Sequence, residues 1–381
     1  MNFDQVIDRR GTESSKWCLY DDDVLPMWLA DMDFLSPQPV IQALHQRVDH
    51  GIFGYGGPPD GLREAIIQHL ADFQKWVVQP DEIDFVCGVV TGFIHAIYTL
   101  TNPGDSVLIQ TPVYPPILKA PEASGRQSVH NPLILREDGK YEIDFDDFER
   151  KAASGVKLFI LCNPHNPVGR VFTRAELTKM AEICLENNVW ICSDEIHGDL
   201  IFSGYQQVPM ASLSPQVAER TVTYFAPSKT FNIAGLSTSV FVTQNPQLKK
   251  RFCETLPMLL GHPNILGLHA ARAAYQDGRE WLGQVLAYLE SNRDYLVDTI
   301  IREFPEIKVW KPEGTFLAWL DCRGLLLDSP HAFFLEQARV GFNNGLAFGD
   351  LGQGFLRLNF GCPRETLNEG LTRMKAALDN R

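Results

Sequence analysis

The 381-residue chain has no long hydrophobic run and no block of basic residues. No apolar stretch approaches the roughly 18 residues that cross a bilayer, so we do not expect an integral membrane protein. The formal net charge of −13 argues against nucleic acids and anionic membranes as partners. The first residues lack the basic start and apolar run of a signal peptide, which favours a cytoplasmic location.

Paired-cysteine and clustered-histidine motifs are also missing. The eight cysteines are scattered without a C-x-x-C pair, and several fall inside apolar runs. In a reducing cytosol they are expected to be free, buried thiols. The ten histidines show neither H-x-x-x-H nor H-E-x-x-H spacing, so no metal site is predicted.

The middle of the chain alternates short apolar runs with helical stretches, which is typical of an α/β fold. We predict a mostly parallel central sheet with helices on both faces. The predicted strands are Ile83 to Cys87, Val107 to Gln110, Lys157 to Cys162, Val189 to Ser193, Val222 to Phe225 and Ser239 to Val242.

The pattern changes near Gly278, where a long helical segment leads into a second, smaller α+β unit. Its predicted strands are Lys308 to Pro312, Thr315 to Asp321 and Phe355 to Gly361. The chain is therefore predicted to have an arm over residues 1–40 that joins the small domain, a large domain over 41–277 and a small domain over 278–381.

A lysine and an acid stand at the ends of two predicted buried strands. Lys229 follows the run Val222 to Phe225, and Asp194 follows Val189 to Ser193. Ligands of open α/β sheets bind beyond the carboxyl ends of the strands. This pair suits pyridoxal phosphate, whose aldehyde forms a Schiff base with an amine and whose ring nitrogen is held protonated by a carboxylate. Asp194 could instead cap a helix.

Three other strand ends carry distinctive residues. The turn Gly88 to Gly92 opens a helix whose free N–H groups suit a phosphate, although an ordinary tight turn is the alternative. Tyr114 could stack on a flat ring or fill a loop. The turn Asn163 to Gly169, with its two Asn-Pro pairs, can point an amide at a ligand oxygen.

Two further side chains have a functional and a plain interpretation. Arg357 lies in a predicted strand and suits bidentate capture of a carboxylate, but a surface salt bridge would also explain it. His197 lies near the predicted site or is an ordinary loop histidine.

Taken together these segments resemble the fold-type I pyridoxal phosphate enzymes, the aspartate aminotransferase superfamily. Within it the chain looks most like the MalY/PatB group of cystathionine β-lyases and related carbon–sulfur lyases. The motifs that carry the resemblance are Asn163-Pro-His-Asn-Pro-Val-Gly169, Ser193-Asp-Glu-Ile-His197, Ser228-Lys-Thr-Phe-Asn232, Pro26-Met-Trp-Leu-Ala-Asp-Met-Asp-Phe34 and Asn359-Phe-Gly-Cys-Pro-Arg364.

The resemblance implies a role for each candidate residue. Lys229 would carry the Schiff base and act in catalysis with Tyr114, which would stack on the ring, and Asp194 would pair with the pyridinium nitrogen. Asn166 would contact the ring hydroxyl. The remaining expectations are Val90, Thr91 and Ser228 at the phosphate, His197 beside the cofactor, Arg357, Ala30 and Trp28 at the substrate, and Tyr55 reaching the neighbouring active site of a homodimer.

The position eight residues after the lysine departs from ordinary aminotransferases. Those enzymes commonly have an arginine there to bind phosphate, whereas this chain has Ser237. The departure favours the lyases, and α,β-elimination on L-cystathionine or a related cysteine S-conjugate is the predicted reaction. The alternatives are an aminotransferase and a non-catalytic regulatory protein that binds pyridoxal phosphate. The substrate's identity stays open.

Overall fold

A seven-stranded mixed sheet forms the centre of the protein in the computed structural model, which describes residues 1–259 and 261–381 without the side chains of 256–259. The strands of this described part are, in chain order, β1 (Leu25–Pro26), β2 (Ile83–Val86), β3 (Ser106–Thr111), β4 (Gln127–Pro132), β5 (Ile134–Leu135), β6 (Tyr141–Glu142), β7 (Leu158–Cys162), β8 (Trp190–Asp194), β9 (Thr221–Phe225), β10 (Ser239–Val242), β11 (Lys308–Val309), β12 (Leu317–Asp321), β13 (Val340–Gly341), β14 (Asn343–Asn344) and β15 (Phe355–Asn359).

The helices surround this sheet and build the C-terminal part. They are α1 (Gln38–Asp49), α2 (Leu62–His69), α3 (Val89–Leu100), α4 (Pro115–Ala123), α5 (Phe145–Ala152), α6 (Arg174–Glu186), α7 (Pro215–Glu219), α8 (Pro227–Thr230), α9 (Pro246–Leu259), α10 (Ile265–Asp277), α11 (Arg279–Glu303), α12 (Pro330–Phe333) and α13 (Arg364–Asp379). None of these helices is both long and apolar enough to cross a membrane.

The order of the central sheet is β2-β10-β9-β8-β7-β3-β4. The strands β9, β8, β7, β3 and β4 run parallel to one another, and β10 is antiparallel to both β2 and β9. The carboxyl ends of β3, β7, β8 and β9 therefore lie at one edge of the sheet, where a ligand site is expected.

Successive side chains along each strand point to opposite faces of the sheet, and helices cover both faces. Leu108 and Phe159 pack on one face with residues of α5 and α6. Val107 and Leu158, one position away, pack on the other face with residues of α3, α4 and α9. A strand that is buried on both faces has a continuous apolar sequence, and the central strands could be predicted for this reason.

The C-terminal part contains a second sheet, which is antiparallel and has the order β11-β12-β15-β14. The N-terminal residues pack here: β1 pairs in parallel with β13, and Phe3 lies edge-on to Phe34 and Trp281. Helices α10 and α11 meet at Gly278. The division at residues 40 and 277 stays a prediction.

The sequence missed or misjudged several elements, most of them short. Strand β4 is largely polar and lies at the edge of the central sheet, so it lacks the apolar run by which its neighbours were found. The predicted strand Lys308 to Pro312 is limited to Lys308–Val309. Helix α2 ends at His69, and the chain continues as a π-helical turn over Leu70–Gln74.

Candidate active site

One cavity of about 240 Å³ lies at the carboxyl ends of the parallel strands. Each of four adjacent strands delivers one predicted residue to its lining: Tyr114 after β3, Asn166 after β7, Asp194 at the end of β8 and Lys229 after β9. Their convergence results from the parallel pairing of β3, β7, β8 and β9.

Lys229 lies on the single-turn helix α8 that comes after β9. Its Nζ donates a hydrogen bond to the main-chain oxygen of Ala30 at 2.5 Å. Desolvation by the surrounding protein lowers the pKa of the amine to about 8; the charge of Arg357 lowers it too, while the charges of Asp31 and Asp194 oppose the shift. The amine is therefore partly neutral near neutral pH, as a nucleophile or base must be.

Asp194 is the last residue of β8 and is only 3% exposed. One carboxylate oxygen accepts the N–H of Ile196 at 3.1 Å, and no Lys or Arg nitrogen of the described residues lies within 4 Å. Burial raises the pKa of this carboxyl to about 7, against the opposing effects of the Ile196 N–H and the Lys229 charge. A buried acid without a cationic partner is suited to a cationic ligand group.

Arg357, on β15, lies deep in the protein with neutral partners only. Its Nη1 donates to Asn166 Oδ1 at 3.0 Å, and its Nη2 donates to Asn343 Oδ1 at 2.6 Å and to the Trp28 carbonyl at 3.0 Å. Its Nε has no partner, and the guanidinium carbon lies 4.9 Å from the Phe348 ring centre. Burial lowers its pKa to about 10. Since no carboxylate of the described residues forms an ion pair with it, the surface salt bridge is ruled out.

Asn166 links Arg357 to the turn after β7. Its Oδ1 accepts from the arginine and its main-chain oxygen accepts the N–H of Tyr114 at 3.0 Å. The remaining amide NH2 is able to donate to a ligand oxygen, and the predicted contact of Asn166 with a ligand stays a prediction.

The N-terminus of α3 lies at one end of the cavity, and this end suits an anion. Gly88 precedes the helix with φ +110°, and the first-turn N–H groups of Val90 and Thr91 have no partner within the helix. The hydroxyl residues Ser228 and Ser237 also line the cavity. Among the described lining residues, Lys229 and Arg357 are the only lysine and arginine, so an anion here depends on N–H and hydroxyl donors.

Tyr114 and His197 complete the wall around these groups. Tyr114 is half-buried at the start of α4; burial, and then the charge of Asp194, raise its pKa. His197 is buried and its Nδ1 has no partner. Burial and the charges of Lys229 and Arg357 lower its pKa to about 3, so the ring is neutral at physiological pH.

Two of the predicted site residues have side chains outside the cavity. The indole Nε1 of Trp28 donates to the Lys16 carbonyl at 3.1 Å, and only the Trp28 main-chain oxygen reaches Arg357. Tyr55 is fully exposed and does not line the cavity of its own chain. Their roles toward substrate and cofactor stay predictions.

Three consecutive main-chain carbonyls, which we call the carbonyl strip, lie beside the cavity, and two of their residues, Leu29 and Ala30, line it. Trp28, Leu29 and Ala30 accept hydrogen bonds from Arg357, Asn359 and Lys229, in that order.

The segment that carries the strip is anchored further along the chain. Asn232 bonds both the N–H and the carbonyl of Met32, and Lys16 forms a buried ion pair with Asp33 at 2.6 Å. Sequence reasoning missed Asn343 and these anchors. The signal in the sequence was that Asp33, Asn232 and Asn359 belong to the motifs that carry the family resemblance.

Residues 23–374 match the family described as aminotransferase class I and II. The chain is 43% identical to cystathionine beta-lyase PatB of Bacillus subtilis, over 99% of this chain and 100% of that protein. Cystalysin from Treponema denticola, whose crystal structure contains pyridoxal 5'-phosphate, superposes with a TM-score of 0.96 at 35% identity, covering 100% of this chain and 99% of that one. The PLP-bound C–S lyase from Staphylococcus hominis gives 0.94 at 36% identity, covering 99% of both chains. The predicted resemblance and fold class are confirmed.

Proposed function

Because the chain belongs to the class I and II aminotransferase family, we propose that it is a pyridoxal-phosphate-dependent carbon–sulfur β-lyase. Its reaction is the α,β-elimination of L-cystathionine or a related cysteine S-conjugate to a thiol, pyruvate and ammonia. The observation that carries the proposal is the convergence of Lys229, Asp194 and an arginine without a carboxylate partner on one cavity.

The residues of the cavity fit pyridoxal phosphate. Asp194, a buried acid without a cationic partner, would hold a proton on the ring nitrogen, and the donors of Asn166 would meet the ring hydroxyl. The start of α3 would hold the phosphate through Val90 and Thr91, together with Ser228. When bound, the cofactor supplies an electron sink that makes the α-hydrogen of an amino acid acidic.

The chain's own residues supply binding and proton transfer. The positive charge of Arg357, which no carboxylate of the described residues neutralises, would bind the substrate α-carboxylate. The guanidinium would then donate to a charged acceptor in place of a neutral one. Lys229, whose amine has a pKa of about 8, is the base that takes the α-proton. His197 stays neutral beside them and adds no competing charge.

Elimination and transamination share the removal of the α-proton and diverge at the next step. Ser237, in place of the arginine that is common in aminotransferases, supports the lyase. Holoenzyme incubated with L-cystathionine and no keto acid distinguishes the two reactions. We expect sustained pyruvate release; one equivalent of pyridoxamine phosphate per active site and no further turnover would indicate an aminotransferase.

Replacement of Lys229 by alanine is the direct test of the site. We expect loss of both pyruvate release and the absorbance of the covalently bound cofactor. Normal turnover in that variant would contradict the assignment of Lys229. A wild-type protein that binds the cofactor and turns over no sulfur amino acid would instead support the regulatory alternative.

The proposal also includes a homodimer in which Tyr55 reaches the neighbouring active site. The exposed side chains Ile52, Phe53 and Tyr55 support it, since such a cluster is costly unless a partner covers it. Light scattering gives the oligomeric state, and Tyr55→Phe should weaken cofactor binding only if the residue crosses the interface. A cytoplasmic location agrees with eight free cysteines, all within the described residues.

A further inference from the structure

Arg357 is held in place by neutral groups alone. Two amide oxygens and one carbonyl accept from its guanidinium, and the Phe348 ring lies against it. Each of these partners fixes the orientation of the arginine without cancelling its charge. Of the acceptors, Asn343 is the nearest, at 2.6 Å, and it has no assigned role.

We propose that Asn343 is a positioning residue that aims Arg357 at the substrate α-carboxylate and keeps the guanidinium charge available for it. This inference rests on the proposed function. It adds a specificity requirement, because the substrate must supply the carboxylate that pairs with Arg357.

The sheet register explains why Asn343 can do this. Strand β14 is antiparallel to β15, and Asn343 lies directly opposite Arg357. Side chains of directly opposed residues share one face of a sheet and contact each other. Asn344 lies opposite Leu356 instead, and its side chain accepts the N–H of Leu346 at 3.1 Å.

The choice of an amide over a carboxylate at position 343 has an electrostatic consequence. An aspartate there would have nearly the same shape and would form a buried ion pair with Arg357. The substrate carboxylate would then meet an arginine–aspartate pair that carries no net charge. Its hydrogen bonds to Arg357 would compete with those of the aspartate, which is always present. Asparagine supplies the hydrogen bond without that competition.

The test compares Asn343→Asp with Asn344→Asp in the holoenzyme. Both variants add one negative charge at half-buried neighbouring positions, and aspartate at 344 preserves the cap of the following turn. In Asn343→Asp we expect kcat/KM for L-cystathionine to fall by about 10-fold to 100-fold, mainly through KM, the range set by one charged hydrogen bond. In Asn344→Asp we expect a change below about threefold.

Two further measurements separate positioning from general damage. Equilibrium dialysis of radiolabelled propionate against holoenzyme should show weaker binding in Asn343→Asp and wild-type binding in Asn344→Asp. Titration of the apoenzymes with pyridoxal phosphate should give the same affinity for both variants, because Asn343 does not line the cavity. If Asn343→Asp does not fold, Asn343→Leu replaces it and should also raise KM and weaken propionate binding.

Equal effects of the two aspartate variants, or a fall in kcat at unchanged KM, would overturn the role of Asn343. So would a Leu variant with improved propionate binding. A wild-type protein that releases no pyruvate would reject the proposed function by itself, since the propionate measurement tests Asn343 without turnover.

Discussion

The lowered pKa of Lys229 predicts how the apoenzyme captures pyridoxal phosphate as pH changes. Only the neutral amine attacks the aldehyde, so the capture rate tracks the deprotonated fraction of Lys229. With its ordinary pKa of 10.5 the amine would be charged throughout the physiological range. With a pKa of about 8 it is partly neutral there.

The size of the effect comes from the two pKa values. At pH 7 about 10% of the amines would be neutral with the lowered pKa and about 0.03% with the ordinary one, a ratio of roughly 300. The rate should rise with pH and level off above about 8 rather than above 10. Free lysine analogues under the same conditions provide the ordinary reference.

Asp31 provides the perturbation. Its carboxylate, which Arg9 holds with hydrogen bonds at 2.8 and 3.3 Å, raises the pKa of Lys229 by its charge. Asp31→Asn removes that charge, so the inflection should move to lower pH and capture at pH 7 should become faster. The control is Asp379→Asn, which makes the same charge change at the C-terminal end of α13.

Stopped-flow absorbance after mixing apoenzyme with pyridoxal phosphate, between pH 6 and pH 10, measures the profile. An inflection near 10 in the wild type would refute the argument that desolvation sets the amine's pKa. A shift to higher pH in Asp31→Asn would refute the assigned sign.

The remaining predictions concern stability. Asp33→Asn breaks the buried ion pair with Lys16 and should lower the free energy of unfolding, measured by urea titration, by about 3–5 kcal/mol. Glu142→Gln breaks an exposed ion pair with Arg136 and should cost less than about 1 kcal/mol in the same measurement. Gly92→Ala on α3 should lower stability by about 1–3 kcal/mol, because a Cβ there would lie 2.4 Å from the Tyr224 ring. Gly283→Ala on α11, where the space is open, should instead raise stability by up to about 1 kcal/mol.

The sequence predicted those parts of the fold and site that depend on side-chain pattern. Buried parallel strands are continuous apolar runs, so β7, β8 and β9 were recognisable, and so were Asn166, Asp194 and Lys229 at or beyond their ends. Because parallel strands end at one edge, placing these residues on strands was enough to bring them together.

The features that sequence reasoning missed depend on the main chain or on short elements. Strand β14 has two residues and no apolar pattern, so nothing placed Asn343 opposite Arg357. The bond from Lys229 to Ala30 uses a carbonyl that every residue type carries. Nothing in the sequence indicated that the Trp28 backbone oxygen would accept a hydrogen bond from Arg357, and the predicted role of Trp28 toward substrate stays a prediction.

The carbonyl strip positions catalytic groups through the main chain, whereas side chains of the same segment shape the cavity. Its alignment with Lys229, Arg357 and Asn359 depends on backbone oxygens, which survive any substitution that preserves the chain's path. The side chains of Leu29 and Ala30, which line the cavity, can therefore change in size without disturbing the groups that handle the proton and the carboxylate. This segment is thus a place where the range of accepted substrates can be altered by mutation while the reaction itself is retained.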